Sequence, residues 1–189
     1  MTARAQAAAA TRERVLSVAW RHFATRPYEA VLLREIAADA RVSAQTLHDR
    51  FGAKEELLTA TYEWFGQQEL AHRPAAPTAS VAEAIKVLFD RYEAHGDAVL
   101  RMLSQEERIP AIRKMTDAGR AYHHYWAETT FAPLLHGLRG VRRERRLAAI
   151  TVATDLLVWK LLRHDMKLPR GKAERVVGDM VKASPRPNA

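Results

Sequence analysis

The 189-residue chain contains no cysteine, which excludes disulfides, thiol nucleophiles and cysteine metal sites and fits a reducing compartment. No apolar run approaches the roughly 18 residues needed to span a membrane. The start, MTARAQAAAATRER, lacks the bulky apolar core of a secretory signal. A cytoplasmic protein without a membrane partner is therefore expected. Eight glycines and eight prolines are too few for a fibrous or low-complexity chain. There is no glycine-rich phosphate loop, nucleophile elbow, framed carboxylate pair, or HExxH-like spacing among the eight histidines. Hence no enzyme, cofactor or metal is expected. Repeats and strand-period alternation are lacking too, which leaves helical periodicity as the organising signal.

What is present is an ordinary globular composition, 48% hydrophobic, with a net charge of +8 and a pI near 10.1. That balance suits a polyanionic partner. The excess is unevenly spread, however. Residues 1–60 carry nine basic and seven acidic side chains, whereas 133–189 carry thirteen and five. Local geometry rather than bulk charge must carry any nucleic-acid binding in the N-terminal part. Arg142, Arg143, Arg145 and Arg146 read as a solvated helix start rather than a second nucleic-acid site.

The informative segment is LLREIAADARVSAQTLHDRF, ending at Phe51. Leu33, Ile36, Ala37 and Ala40 recur at spacings of three and four, one apolar stripe of a short helix. Ser43 is a good N-cap for a second helix starting at Ala44, with Val42 packing back before it. Leu47 and Phe51, four apart, turn inward, and Ala44, Gln45, Thr46, His48, Asp49 and Arg50 remain outside. A helix this short needs support. A preceding helix from Thr11 supplies it through Val15, Leu16, Ala19, Trp20 and Phe23. A following one restarts near Ala53, after the breaker Gly52, and turns Leu57, Leu58, Thr61 and Phe65 inward. Residues 1–10 read as a flexible arm whose Arg4 could reach a minor groove, and the tail SPRPNA reads as loose.

This order of residues resembles the DNA-binding domain of the tetracycline-repressor (TetR) family of bacterial transcription regulators. The matching elements stand in register: Phe23, Tyr28, Arg34-Glu35-Ile36-Ala37, Val42-Ser43, Thr46-Leu47, Phe51 and Lys54-Glu55-Glu56-Leu57. The resemblance implies that Arg34, Ala44, Gln45, His48, Asp49 and Arg50 face the groove. It assigns Thr46 and Lys54 to phosphates and counts Ser43 among the DNA-binding residues. The chemistry is apt, since Gln45 can pair with adenine and Arg34 or Arg50 with guanine, each discriminating by about 1–3 kcal/mol. Departures from the family pattern are Arg41 in place of a turn glycine, Leu32 in place of a capping Ser or Thr, Pro27 for a glycine and His48 for a tyrosine. Arg41 must tolerate a positive φ. Asp49 would repel phosphates unless it accepts from a cytosine amine or pairs with a neighbour.

Beyond Phe65 the segment HRPAAPTAS marks a break with Pro74 and Pro77, and Val81, Ala84, Ile85, Leu88, Phe89 and Tyr92 resume helical spacing. Gly96 and Asp97 are expected to interrupt that helix before a short one. A long stretch follows Pro110, with Pro133 as a kink or restart, then a single helix over 143–165, and a last helix runs from Pro169 to about Lys182. The expected fold is all-α: a helix-turn-helix domain over 1–56 and a helical ligand-binding and dimerisation domain over 57–189. The last two helices are apolar over more than one face, which points to a homodimer through Leu147, Ile150, Thr154, Leu157, Val158, Leu161, Val176, Val177 and Met180. The resemblance further implies a pocket for a small-molecule effector. Candidate linings are Phe89, Tyr92, Met102, Met115, Tyr122, His123, Trp126 and Trp159. The expected function is that of a homodimeric repressor binding double-stranded DNA at a palindromic operator and released by an unidentified ligand. The rivals are a non-specific architectural DNA-binding protein and a helical enzyme.

Overall fold

The computed structural model describes residues 3–71 and 80–183. The expected Pro74–Pro77 break and the SPRPNA tail lie outside them. Ten α-helices follow one another among the described residues: α1 (Ala3–Thr25), α2 (Leu33–Asp39), α3 (Ala44–Phe51), α4 (Lys54–Ala71), α5 (Val81–Leu103), α6 (Pro110–Thr130), α7 (Ala132–Leu135), α8 (Gly140–Ala153), α9 (Leu156–Lys160) and α10 (Arg170–Lys182). A 3-10 turn at Tyr28–Ala30 precedes α2, and a π-helical turn at Leu161–Asp165 extends α9. No strand occurs among the described residues, so the fold is all-α.

The chain divides into two compact units, Met1–Pro74 with Ala98–Thr116, and Ala75–Asp97 with Asp117–Ala189. The expected boundary at residue 56 is therefore displaced, because hydrophobic burial and not motif length sets it. Leu57 and Leu58 of α4, with Met102, Ile109 and Ile112, belong to the same buried cluster as Leu16, Phe23, Ile36, Leu47 and Phe51. Within this N-terminal unit α1 packs on α2 and α4, and α3 packs on α2 and α4. Trp20 stacks on Phe65 at 3.7 Å between ring centroids. Residues 3–10 are not an arm but the first turns of α1. Their run of alanines has the highest helix propensity of any residue type, which carries the helix upstream of its apolar stripe.

The second unit buries Phe89, Leu147, Ile150, Trp159, Leu162, Val177 and Val181. Two expectations about helix continuity are corrected here. First, α5 runs unbroken through Gly96. A Cβ at Gly96 would come within 2.6 Å of the Trp159 ring, so glycine here serves close packing and does not end the helix. Second, the helix expected over 143–165 is broken at Asp155. This side chain accepts from the Leu157 amide at 2.8 Å and caps a new helix; a carboxylate two residues from a free amide competes with helix continuation. Pro133 and Pro169 both stand at helix starts, where a missing N–H costs nothing.

The second unit also corrects the reading of the arginine run. Arg146 is 3% exposed, and its guanidinium donates to the carbonyls of Val181, at 2.6 Å, and of Ala183, at the C-terminal end of α10. Burial lowers its pKa. The acceptors are helix-end carbonyls lacking intrahelical partners and carrying the negative end of the dipole. Arg143 pairs with Glu128 at 2.5 Å, whereas Arg142 and Arg145 are exposed.

Candidate nucleic-acid interface

The turn between α2 and α3 is built from backbone hydrogen bonds, side-chain caps and one left-handed residue. The amide of Arg41 donates to Ala38 O and that of Val42 to Ala37 O, both at 3.0 Å, closing α2 in a Schellman arrangement. Arg41 occupies the left-handed position with φ of 55°, as its place in the sequence requires. The carbonyl of the α2 C-cap, Ala40 O, accepts from Arg14 Nε of α1 at 3.0 Å. The Ser43 hydroxyl accepts from the Thr46 amide at 3.0 Å and lies 2.8 Å from the Thr46 hydroxyl, fixing the start of α3. Gly52 ends α3 with φ of 74°.

Further contacts hold α2 against α1. Asp39 lies 2.8 Å from His22 Nε2, and Arg26 donates to Glu35 at 2.6 Å and contacts His22 Nδ1. Leu32 forms no side-chain cap for α2 and is 38% exposed, so the capping contact of a Ser or Thr is absent at this position.

With Leu47 and Phe51 buried, α3 turns Ala44, Gln45, His48 and Asp49 outward, and Arg34 of α2 is exposed as well. Gln45 Nε2 donates to Asp49 Oδ1 at 2.6 Å. Of the two readings open for Asp49, pairing with a neighbour is the one seen in the unbound chain. A carboxamide has two N–H donors and an acceptor oxygen. One N–H engaged by Asp49 leaves the other, with the oxygen, for the two-point pattern of an adenine edge.

Two site residues point elsewhere than the sequence alone indicates. Arg50 Nη1 is 3.3 Å from Ala8 O of α1, so its guanidinium lies against the neighbouring helix in the unbound chain. Lys54, at the start of α4, has its ammonium 4.3 Å from the centre of the Tyr28 ring and 3.4 Å from Glu29 O. Desolvation lowers its pKa, against the opposing pull of Glu29. Burial is also the main cause that raises the Tyr28 hydroxyl pKa.

The expected pocket residues are divided between the two units. Met102 is buried in the N-terminal unit's core and Met115 packs against that core. In the other unit, Phe89 and Trp159 are buried. The Trp159 indole donates to Glu93 at 3.1 Å, and the Tyr92 hydroxyl donates to Thr154 O at 2.9 Å. His123 stacks beside Trp126, with Nε2 3.2 Å from Thr151 O and 3.3 Å from the Thr154 hydroxyl. The Thr151 hydroxyl is buried without a hydrogen-bond partner. Tyr122 is half-buried.

Among the residues expected at a dimer interface, Leu147, Ile150, Thr154 and Val177 are buried within their own unit, and Val158 is half-buried. Leu157, Leu161, Val176 and Met180 are exposed. Tyr125, Val141, Val152 and Met166 of the same unit are exposed as well and lie outside the expected interface. Helical spacing from Leu157 and Leu161 leads to Asp165; the π turn, closed by Met166 N to Leu161 O at 2.9 Å, adds one residue to that step.

No curated protein matches the chain. The fold is similar to the crystal structure of a transcriptional regulator from Rhodococcus sp. Rha1, with a TM-score of 0.67 over 90% of this chain and 93% of that one, at 16% sequence identity. At that identity the likeness concerns the fold. The family model for bacterial regulatory proteins of the tetR family matches residues 15–61, the stretch from the buried part of α1 through the helix-turn-helix into α4. No helix of the described residues is long and apolar enough to cross a membrane. The N-terminal unit thus carries the stretch that matches the tetR-family model, and the fold of the chain is similar to that of a transcriptional regulator.

Proposed function

We propose that this protein is a transcription regulator of the tetR family, a cytoplasmic homodimeric repressor that docks two copies of α3 into a palindromic operator and is released by a small-molecule ligand of its C-terminal unit. The observation that carries the reading is the outward face of α3, where Gln45 and His48 stand exposed over a buried Leu47–Phe51 pair, with Gln45 held by Asp49. In this arrangement Gln45 reads an adenine, Arg34 approaches a base or phosphate beside it, and Ser43, Thr46 and Lys54 line the backbone side.

Self-association is supported by the exposed apolar residues Val152, Leu157, Leu161, Met166, Val176 and Met180, which a second copy would cover. Ligand binding is supported by the polar tips of Tyr92, His123 and Thr154 among aromatic side chains and by the unpaired hydroxyl of Thr151. A ligand that binds one conformer more tightly shifts the population away from the DNA-bound form by at most its differential affinity.

The test is selection of bound duplexes from a random pool at near-physiological salt, with the protein's mass measured in solution. Enrichment of one palindrome by a dimer, with half-sites spaced near one helical turn of roughly 10 bp, is expected. Equal recovery of all sequences would replace this reading with a non-specific DNA-coating protein.

A further inference from the structure

The N-terminal unit carries a second basic feature, separate from the outward face of α3. A surface hollow of about 310 Å³ is lined by Ala8, Ala9 and Arg12 of α1 and by Arg50 and Phe51 of α3. The Arg12 guanidinium lies 5.9 Å from the centre of the Phe51 ring. Among the described residues neither Arg12 nor Arg50 forms an ion pair with a carboxylate, whereas Arg26, Arg143, Arg163 and Arg170 all do. Among the described residues Arg50 hydrogen-bonds to Ala8 O, at 3.3 Å. Ala8 lies inside α1, where a carbonyl already accepts from the amide four residues on. The backbone therefore does not depend on Arg50, and a charged acceptor would compete successfully for it.

We propose that Arg12 and Arg50 together hold a phosphate of the DNA backbone, making the start of α1 a second point of contact flanking the groove-reading helix. The hollow suits that ligand in three ways. Two planar guanidinium groups offer paired donors to phosphate oxygens. The walls at Ala8 and Ala9 are no larger than a methyl group, which lets a sugar-phosphate strand approach. Arg50 immediately follows Asp49, so the contact lies next in sequence to the residues that face the bases. Arg50 thereby positions the protein and does not read guanine, and Arg12 joins the DNA-contacting residues. The proposal rests on the DNA-binding reading above.

The experiment measures affinity of the full chain for its selected operator and for a scrambled duplex across a salt series, for the wild type, Arg12→Ala, Arg12→Lys and Arg50→Ala, each checked for an unchanged melting transition. One lost phosphate contact removes about 0.9 from the slope of log affinity against log salt, equivalent to about five-fold at 0.15 M salt. Each alanine variant is expected to lose about that much on both duplexes alike, and Arg12→Lys to retain the wild-type slope. Unchanged slopes in both alanine variants would overturn the proposal, as would a loss by Arg50→Ala confined to one base pair of the operator. Failure of the wild type itself to bind any duplex would overturn the DNA-binding reading instead.

Discussion

Arg41 offers a direct test of how the helix-turn-helix is held together, because a single dihedral angle carries the expected effect. It is exposed, sits at φ of 55°, and occupies the position that closes α2 and launches α3. A non-glycine residue in the left-handed region costs about 1–2 kcal/mol. Replacing it with glycine removes that strain but widens the unfolded ensemble, which costs about 0.4–1 kcal/mol. Arg41→Gly should therefore stabilise the N-terminal unit by about 0.5–1 kcal/mol. Arg41→Ala keeps the strain while removing the same side chain, so it serves as the control. Amide hydrogen exchange of the buried α3 and α4 positions Leu47 and Leu57 reports the unit's opening. Exchange should slow by about two- to five-fold in the glycine variant and change little in the alanine variant. Equal slowing in both would mean that the side chain, not the dihedral, carries the effect. Faster exchange in the glycine variant would refute the left-handed assignment.

Four further outcomes follow from the same structure. Arg146→Ala should destabilise the C-terminal unit by about 2–3 kcal/mol, since two helix-end carbonyls lose a charged donor, while Arg142→Ala on the exposed face should stay within about 0.5 kcal/mol; urea midpoints compare the two. Hydrogen bonding from Arg163 chiefly depresses the Glu93 carboxyl pKa, so the stabilisation is complete above the unfolded carboxylate value and is lost as pH falls through the lower folded one. The stability difference between wild type and Glu93→Gln should accordingly shrink towards strongly acid pH, as read by denaturant titrations at a series of pH values. Leu161→Glu, at a side chain 49% exposed, should leave helix content intact and yield a monomer by sedimentation; a stable dimer would exclude that face as the interface. Lys54→Ala should weaken binding to all duplexes alike and flatten the salt slope, and a change at one base only would contradict the proposed phosphate contact.

The helix-turn-helix was legible in the sequence because its determinants are local. Ser43 caps within three residues, Leu47 and Phe51 repeat at four, and Arg41 stands where the turn demands a positive φ. Features set by more distant neighbours were not legible. The direction of Arg50 depends on α1 extending through Ala8, which apolar periodicity did not indicate because the alanine run has helix propensity but no apolar stripe. A helix apolar on two sides does not reveal which side its own unit takes, so Leu147, Ile150 and Val177 were grouped with Leu157 and Met180, although only the latter two are exposed. Met166 lay outside the expected interface because a π turn adds a residue that 3.6-residue counting cannot anticipate. Residue type alone did not reveal that Met102 belongs to the N-terminal core and that Met115 packs against it. The break at Asp155 was the exception: its N-cap signal was in the sequence but was outweighed by the apolar run around it.

Asp49 holds the Gln45 carboxamide on the exposed face of α3, and the proposed reading of bases through Gln45 depends on that contact. The most direct measurement is a base-resolved binding profile of the wild type beside Gln45→Ala, Asp49→Ala and the double variant. The account predicts that both single variants relax preference at the same position of each half-site, and that the double variant adds little to either. Unaltered profiles, or relaxation by Asp49→Ala at a different position from Gln45→Ala, would contradict it.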